Sequence, residues 1–333
     1  MNESSENNTI DYELINSIAF LSAIPITIIG LVVNLFILYI LISDKNFHKT
    51  TYYLILFSVL SDIASTGASS LSFTTGSVLQ LQLYQGTILC RMFIFIILAS
   101  YGVSMMTLCI ISADRYMAIV KPMSQFYRRY KKLIIFLLQM AVCCISLVMA
   151  IPALLFIGTY SDDTKFCDFP TVTSSTALYF IMSSIVLYFM PVTFLVVAYC
   201  KIIFHMKNHI RPPGLSVQQA AERNLKKRKF IRSLMSITAA YVLTTWPFWA
   251  TSIGMAITQK SMRQIRQLGL FWYLLAFASF TVTTSISVVN PFLYLKFDSN
   301  IRKKAAALLK RSADANDYYN PSTRITVMTQ NTV

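Results

Sequence analysis

The chain has 333 residues, of which 55% are hydrophobic and only 13% are charged, and its formal net charge is +15. A soluble domain carries about 25% charged residues, so this composition excludes an ordinary soluble protein. The positive charge alone would suit a nucleic-acid partner, but no zinc-finger spacing and no basic patch interleaved with aromatic residues accompanies it. We therefore predict an all-α integral membrane protein without a nucleic-acid partner.

Seven apolar segments follow one another along the chain, and each is long enough for a membrane-spanning helix. They cover residues 17–42, 51–78, 90–119, 133–158, 176–204, 230–258 and 267–295. Ser and Thr dilute the second segment, but small residues favour close helix packing in lipid. The predicted fold is a seven-transmembrane helix bundle over residues 17–295, preceded by a short extracellular segment over residues 1–16.

Lys and Arg are concentrated at one end of these segments. Of the 29 in the chain, 24 lie within 44–52, 115–132 or 201–232, or from residue 296 onward. Cytoplasmic loops carry such an excess, so we expect the N-terminus to be extracellular. Glycosylation sequons at Asn2 and Asn7 agree with this orientation. The predicted location is the plasma membrane, with membrane lipid as a partner of the basic face.

Two of the six cysteines lie on the predicted extracellular side. Cys90 begins the third segment, and Cys167 lies in the loop after the fourth. An oxidising compartment allows these two to form a disulfide, which would tie the loop over the helical bundle. Two free thiols are the alternative, which the predicted topology disfavours.

Short motifs on successive segments resemble those of class A, rhodopsin-like G-protein-coupled receptors, and the resemblance extends over nearly the whole chain. The matching residues are Asn34 in "GLVVN", Asp62 in "LSD", Asp114, Arg115 and Tyr116 in "DRY", Pro191 with Tyr199, Pro247 in "TWPFW", and Asn290, Pro291 and Tyr294 in "NPFLY". Some positions depart from the family pattern. The fourth segment lacks the tryptophan that the family has there. In the sixth segment, Thr245 occupies the position of the family's tryptophan, so either Trp246 or Trp249 would have to act as the switch residue.

The resemblance implies a receptor that binds an extracellular small molecule or short peptide and activates a heterotrimeric G protein, with arrestin and a receptor kinase as further partners. The implied coupling switch consists of Asp114, Arg115, Tyr116, Tyr199, Asn290, Pro291 and Tyr294. An enzyme is not expected, because the chain has no nucleophile elbow or phosphate-binding loop motif. The alternative is a secondary transporter or proton-coupled carrier that uses Asp62, although no repeated halves are evident.

Asp62 is the only carboxylate deep within the predicted bundle. A lone buried acid needs a cation, hydrogen bonds or a proton. In the family such a cluster holds a sodium ion, so one hypothesis is a sodium site formed by Asp62, Asn34, Ser104, Ser287 and Asn290. A purely structural polar network is the other, and no other cofactor is expected.

The resemblance also places a ligand pocket at the extracellular end. A monoamine ligand is disfavoured because Ile97 stands where amine receptors carry an aspartate. Covalent retinal is disfavoured because opsins need a seventh-helix lysine, and no lysine lies between Lys260 and Lys296. The inferred lining residues are Ile97, Ser100, Tyr101, Phe248, Trp249, Phe280 and Thr284. Outside the pocket, charged residues of both signs (Asp162, Asp163, Asp168, Lys260, Arg263 and Arg266) would either steer a peptide or simply be solvated.

The cytoplasmic end supplies two further expectations. Residues 296–311 carry an apolar stripe (Phe297, Ile301, Leu308 and Leu309) among basic residues, which predicts an amphipathic eighth helix capped by Asp298 or Ser299, followed by a disordered tail over 312–333. Lys227 stands where many relatives have an acid that restrains Arg115, so we expect activity without ligand.

Overall fold

The structure, a computed structural model, describes residues 11–79, 81–121, 125–208 and 217–319. These are almost entirely helical. The helices are α1 (Tyr12–Ser43), α2 (Thr50–Val78), α3 (Leu83–Ile119), α4 (Gln125–Ala150), α5 (Ala153–Phe156), α6 (Ser174–Ser184), α7 (Met190–Asn208), α8 (Val217–Thr258), α9 (Met262–Arg266), α10 (Leu270–Phe297) and α11 (Ser299–Tyr319). The predicted glycosylation sites Asn2 and Asn7 lie outside the described residues.

Six stretches of described helix are long and apolar enough to cross a membrane: Tyr12–Ser43, Thr50–Val78, Leu83–Ile119, Gln125–Phe156, Ser174–Lys207 and Leu270–Lys296. The remaining predicted segment belongs to α8, whose apolar part is diluted by Ser, Thr and a proline. α8 nevertheless packs against α6 and α10, while α3 packs against α2, α4 and α7. All seven predicted segments therefore join one bundle, as the predicted fold requires.

Polar side chains are buried inside the bundle together with an apolar core, and large apolar side chains cover much of its outside. Asn34, Asp62 and Ser104 are buried between helices, whereas Phe194 and Leu243 lie on outward faces. A soluble protein rarely exposes continuous apolar surface of this kind, so the pattern is that of a protein surrounded by lipid.

Three spans contain the prolines that the sequence analysis singled out. A π-helical turn over Ile185–Phe189 joins α6 to α7, directly before Pro191. Pro247 lies inside α8 and Pro291 inside α10. Each proline lacks the N–H that would bond to the preceding turn, so each span has a point at which its two halves are less firmly connected. That these points act as hinges stays a prediction.

The eighth helix, α11, begins at the predicted cap. The Asp298 Oδ1 atom accepts hydrogen bonds from the backbone N–H of Asn300 at 2.9 Å and of Ile301 at 3.1 Å. Ile301 and Ala305 are buried against the bundle, but Leu309 is 62% exposed. Among the described side chains the packed stripe is therefore Ile301, Ala305 and the partly buried Leu308, and Leu309 is not part of it. The side chain of Phe297, the other predicted member, lies outside the described part of the chain.

The predicted end of this helix at residue 311 is too early, because the helix continues to Tyr319. The added turns contain Ala313 and Ala315, and alanine has the highest helix propensity, so the polar composition of this stretch does not end the helix. The predicted tail is helical over its described part, and the rest of it lies outside the described residues.

Candidate ligand pocket and coupling site

A cavity of about 170 Å³ lies at the end of the bundle where α3, α6, α8 and α10 meet the loop between α5 and α6. Six of the seven predicted pocket residues line it: Ile97, Tyr101, Phe248, Trp249, Phe280 and Thr284. Ser100 is buried in α3 but is not among the lining residues. Ile97 and Tyr101 are four residues apart and share a helix face, whereas Ser100 is turned about 100° from Tyr101.

Trp249 forms the inner end of this cavity. Its indole Nε1–H donates a hydrogen bond to the Tyr101 hydroxyl at 2.9 Å. The indole also packs edge-on against Phe248, with ring centroids 4.9 Å apart. Trp249 is 2% exposed, whereas Trp246 is 53% exposed on the outer face of α8. Of the two candidate tryptophans, the structure places only Trp249 inside the bundle.

Below Trp249, a polar chain joins α3 to α8. The Tyr101 hydroxyl donates to Thr245 Oγ1 at 3.4 Å, and the Tyr241 hydroxyl donates to the backbone oxygen of Tyr101 at 3.0 Å. Thr245 in turn donates to the backbone oxygen of Tyr241 at 2.7 Å. Sequence reasoning missed Tyr241, although its spacing of four residues from Thr245 puts both on one helix face.

A disulfide holds the loop over the cavity, which confirms the predicted pairing. Cys90 and Cys167 are bonded, with their Cα atoms 5.7 Å apart. Beside Cys167, Asp168 and Gly158 exchange two backbone hydrogen bonds of 3.0 Å. Phe166 and Phe169 of the same loop line the cavity. The loop is therefore a covalently anchored cover for the pocket.

Asp168, the residue after Cys167, fastens this cover to the segment between α8 and α10. Its Oδ1 accepts hydrogen bonds from the backbone N–H of Phe169 at 2.7 Å and of Met262 at 3.1 Å. Its Oδ2 accepts from the Tyr160 hydroxyl at 2.8 Å and from the backbone N–H of Arg263 at 2.9 Å. We call Asp168, Tyr160, Met262 and Arg263 the loop clasp. Asp168 is only 3% exposed, so the interpretation that its charge is simply solvated on a surface loop is wrong.

Asp162 and Arg263, two other charged residues at this end, pair with each other. Both terminal nitrogens of Arg263 bond to the Asp162 carboxylate, which holds the pKa of Asp162 below its ordinary value. The Arg263 guanidinium also lies 4.5 Å from the ring centre of Tyr160. Burial, opposed by a hydrogen bond with Ser261, raises the pKa of Tyr160 to about 12, so its hydroxyl stays protonated and donates to Asp168 at neutral pH.

Arg266 extends these contacts to the first and seventh spans. Its guanidinium lies 4.2 Å from the ring centre of Phe166 and 5.1 Å from that of Tyr273. Its Nη2 is 3.9 Å from an Asp163 carboxylate oxygen. The Tyr12 hydroxyl donates to the backbone oxygen of Arg266 at 3.2 Å. Paired charges and stacked rings therefore close this end of the bundle.

In the middle of the bundle, Asp62 is 1% exposed and accepts hydrogen bonds from two of the four predicted partners. Ser104 Oγ donates at 3.4 Å, and Asn290 Nδ2 donates to both carboxylate oxygens at 3.0 and 3.2 Å. Asn34 instead donates to the backbone oxygen of Ser287 at 2.8 Å.

These residues fit a small hard cation. Among the described residues, no hydrogen-bond partner is found for the buried Oδ1 atoms of Asn34 and Asn290. A carboxylate with two spare amide oxygens offers the oxygen ligands that hard cations prefer. The single carboxylate favours a monovalent ion over a divalent one.

At the opposite end from the cavity, Asp114 is shared by three neighbours. Its carboxylate lies 3.2 Å from Arg115 Nη2 and 2.5 Å from Lys131 Nζ, and it accepts the Tyr127 hydroxyl at 2.7 Å. Arg115 also donates to the hydroxyl of Thr51 on α2. Asp114 and Arg115, two residues of the predicted switch, form an ion pair, but sequence reasoning missed Tyr127 and Lys131, which reach Asp114 from α4.

Other predicted switch residues link neighbouring spans between these two ends. The hydroxyls of Tyr199 and Thr238 lie 3.0 Å apart across α7 and α8. The Tyr294 hydroxyl donates to Ser58 Oγ at 3.1 Å. Tyr116 lines an open groove beside α7. The side chain of Lys227 lies outside the described part of α8.

A membrane bundle with a covered cavity at one end and a partly buried arginine–aspartate pair at the other has the architecture of a seven-helix receptor. The sequence profile described as "7 transmembrane receptor (rhodopsin family)" matches residues 33–294. The chain belongs to this family of multi-pass membrane receptors, which couple to G proteins. It is a class A receptor that is neither an opsin nor a monoamine receptor.

Curated relatives agree with this assignment. The chain is 24% identical to the neuropeptide Y receptor type 2 of Sus scrofa over 88% of this chain and 75% of the relative, and 24% identical to the somatostatin receptor type 2 of Mus musculus over 89% and 79%. It is also 24% identical to the tachykinin-like peptides receptor 99D of Drosophila melanogaster, over 81% of this chain but only 52% of that receptor. These matches confirm a receptor rather than an enzyme, and they give no support to the transporter alternative.

Proposed function

We propose that the chain is a plasma-membrane receptor, with its N-terminus outside the cell, that binds a short peptide or a small molecule in the covered cavity. The position of the cavity carries the proposal. It lies beneath a loop anchored by the Cys90–Cys167 disulfide, and Arg115 lies at the opposite end of the same bundle. Two of the relatives are receptors for neuropeptide Y and for tachykinin-like peptides, which favours a peptide ligand.

Ligand contact with Trp249 is the proposed first step of signalling. The indole is bonded to Tyr101 on α3, and Tyr241 returns a second bond from α8 to α3. Pro247 lies between Trp249 and Tyr241 on α8, where the helix lacks one backbone hydrogen bond. A ligand that binds better when these contacts rearrange shifts the population toward that arrangement of α8.

Release of Arg115 is the proposed last step. In the described state Asp114 on α3 and Thr51 on α2 both hold its guanidinium. Displacement of α8 and α7 opens the space beside Tyr116, so Arg115 becomes available to the G protein. Tyr199, Asn290, Pro291 and Tyr294 are proposed to adjust the spans during this movement, and the cation at Lys227 is proposed to leave measurable activity without ligand.

Sodium is proposed as a regulator of this movement. Asp62, with the oxygen atoms of Asn34, Ser104, Ser287 and Asn290, would hold the ion and keep the polar core in its resting arrangement. Arrestin, a receptor kinase and anionic membrane lipid are proposed as further partners, and Asn2 and Asn7 as glycosylated residues.

Nucleotide exchange on a promiscuous G protein, measured with the receptor in nanodiscs during a screen of short peptides, tests the proposal. We expect an active peptide whose response falls strongly in Trp249→Leu. Trp246→Leu is the matched control, because the same change on the outer face of α8 leaves the cavity intact. Exchange that no peptide alters, and that is the same for wild type and Arg115→Ala, would overturn the proposal.

A further inference from the structure

We infer that the ligand of this receptor carries a negatively charged group, bound by Lys165, on an otherwise aromatic or aliphatic body. The inference rests on the proposed function in one respect only, that the covered cavity is the ligand site. It concerns the sign of the ligand's charge, which the fold by itself leaves open.

The charged residues of the cavity are few. Among the described residues that line it, only Lys165 and Asp168 carry a charged side chain, and the rest are mostly aromatic or aliphatic. Asp168 is fully engaged, since its two oxygens accept four hydrogen bonds. A carboxylate has about four acceptor positions, so Asp168 has no capacity left for a cationic ligand group.

Lys165 is differently placed. Its one ion pair among the described residues is with Glu13, at 3.9 Å between Nζ and Oε1, the outer limit of such a contact. The Glu13 side chain is 70% exposed, and an ion pair of this kind in water is weak. An ammonium group has three hydrogen-bond donors. Lys165 therefore has donors to offer a ligand, and it offers them beside an apolar cavity, where charge interactions are stronger than in water.

The other described lining residues supply no acid that could take the place of Asp168. On α3 the lining residue Ile97 is apolar. A cationic ligand would therefore meet the Lys165 ammonium with no spare carboxylate among the described lining residues to balance it. An acid on a hydrophobic body would instead pair with Lys165 and place its apolar part against Phe248 and Phe280.

Three matched peptide libraries test the inference. All contain N-acetylated tripeptides of Phe, Leu, Tyr and Trp, and they differ only at the C-terminus, which is a free acid, an amide or an aminoethyl amide. Thermal unfolding of the full-length receptor in neutral nanodiscs reports binding without a G protein. We expect the free acids to raise the unfolding temperature and to bind at least about ten-fold more tightly than their amide and aminoethyl counterparts, as loss of a charge-assisted hydrogen bond implies.

Two substitutions should act in opposite directions. Lys165→Gln should weaken binding of the acids by about ten-fold and leave the amides unchanged. Glu13→Gln should strengthen binding of the acids, because it removes the competing carboxylate. Lys260→Gln is the matched control, since Lys260 is also on the extracellular side but does not line the cavity. A merely structural role for Lys165 would not give opposite effects that are confined to the acids.

The outcomes separate this inference from the proposed function. Equal binding of acids and amides, stabilisation by none of the libraries, or acid binding unchanged in a folded Lys165→Gln receptor would overturn the inference. If the receptor responds in nucleotide exchange to amides or cations as well as to acids, the receptor function stands and the inference fails. If acids bind through Lys165 but never alter nucleotide exchange, the inference stands and the proposed signalling fails.

Discussion

Asp168→Asn is expected to open the loop clasp without breaking the disulfide beside it. The asparagine side chain has nearly the same shape, but it has one carbonyl oxygen where the aspartate has two. The new NH₂ group must face either the backbone N–H groups of Phe169 and Met262 or that of Arg263 together with the Tyr160 hydroxyl. In both orientations an N–H group points at another N–H group.

The cost follows from the number and kind of bonds lost. A hydrogen bond to a charged group contributes about 1.5–3 kcal/mol, and at least one such bond to a backbone N–H disappears while the others lose their charge assistance. We take about 3 kcal/mol as the change in the free energy of clasp opening, because the remaining oxygen still accepts one pair of bonds. That corresponds to roughly a 150-fold increase in the open population.

Hydrogen exchange of the Met262 and Arg263 amides measures this opening directly. When reclosing is fast and exchange follows the open population, both amides should exchange roughly 150-fold faster in Asp168→Asn than in wild type. Asp162→Asn is the control, because it removes a charge from an exposed pair on the same loop, and its effect should stay within about five-fold. Unchanged exchange in a correctly disulfide-bonded Asp168→Asn receptor would show that the four bonds do not hold the loops together.

Three shorter predictions follow from other sites. Nucleotide exchange driven by a ligand should fall as sodium replaces a bulky cation at constant ionic strength, and Asp62→Asn should remove that dependence. If sodium has no effect on the wild type, the residues around Asp62 form only a structural polar network. Lys131→Gln should lower exchange without ligand about two- to five-fold, because Asp114 then pairs more tightly with Arg115, whereas Asp114→Asn should raise it; equal basal rates in both variants would contradict the restraint. Since the pKa of Tyr160 is raised to about 12, its contribution to stability is complete below pH 10 and is lost as the pH rises through 12. The difference in phenolate absorbance between wild type and Tyr160→Phe, which reports Tyr160 alone, should therefore titrate near pH 12. A difference that titrates near pH 10 would refute the burial of the hydroxyl.

Residues that share a helix face with a recognised motif could be located from the sequence. Ile97 and Tyr101 are four residues apart on α3, and both line the cavity. Cys90 and Cys167 were identified by their common side of the membrane, and they are bonded. The family resemblance placed Ile97 and Tyr101 in the pocket, and their helical spacing puts both on one face. For the two cysteines, the membrane topology read along the chain was enough.

Contacts that depend on the path of a loop could not be located in this way. Asp168 meets the backbone of Met262, 94 residues further along the chain, because the loop folds back over the cavity. The choice between Trp246 and Trp249 was equally undetermined, since helical periodicity gives the angle between the two residues but not which of them faces inward. The orientation of α8 in the bundle decides it.

The burial of Trp249 also gives the receptor a natural optical probe. The chain has three tryptophans, and the other two, Trp246 and Trp272, are 53% and 55% exposed while Trp249 is 2% exposed. Quenchers dissolved in lipid or water therefore reach Trp246 and Trp272 far more readily than Trp249. Replacing these two by phenylalanine would leave a receptor whose entire indole emission comes from the inner end of its ligand cavity, so occupancy of that cavity could be followed by fluorescence without attaching a dye.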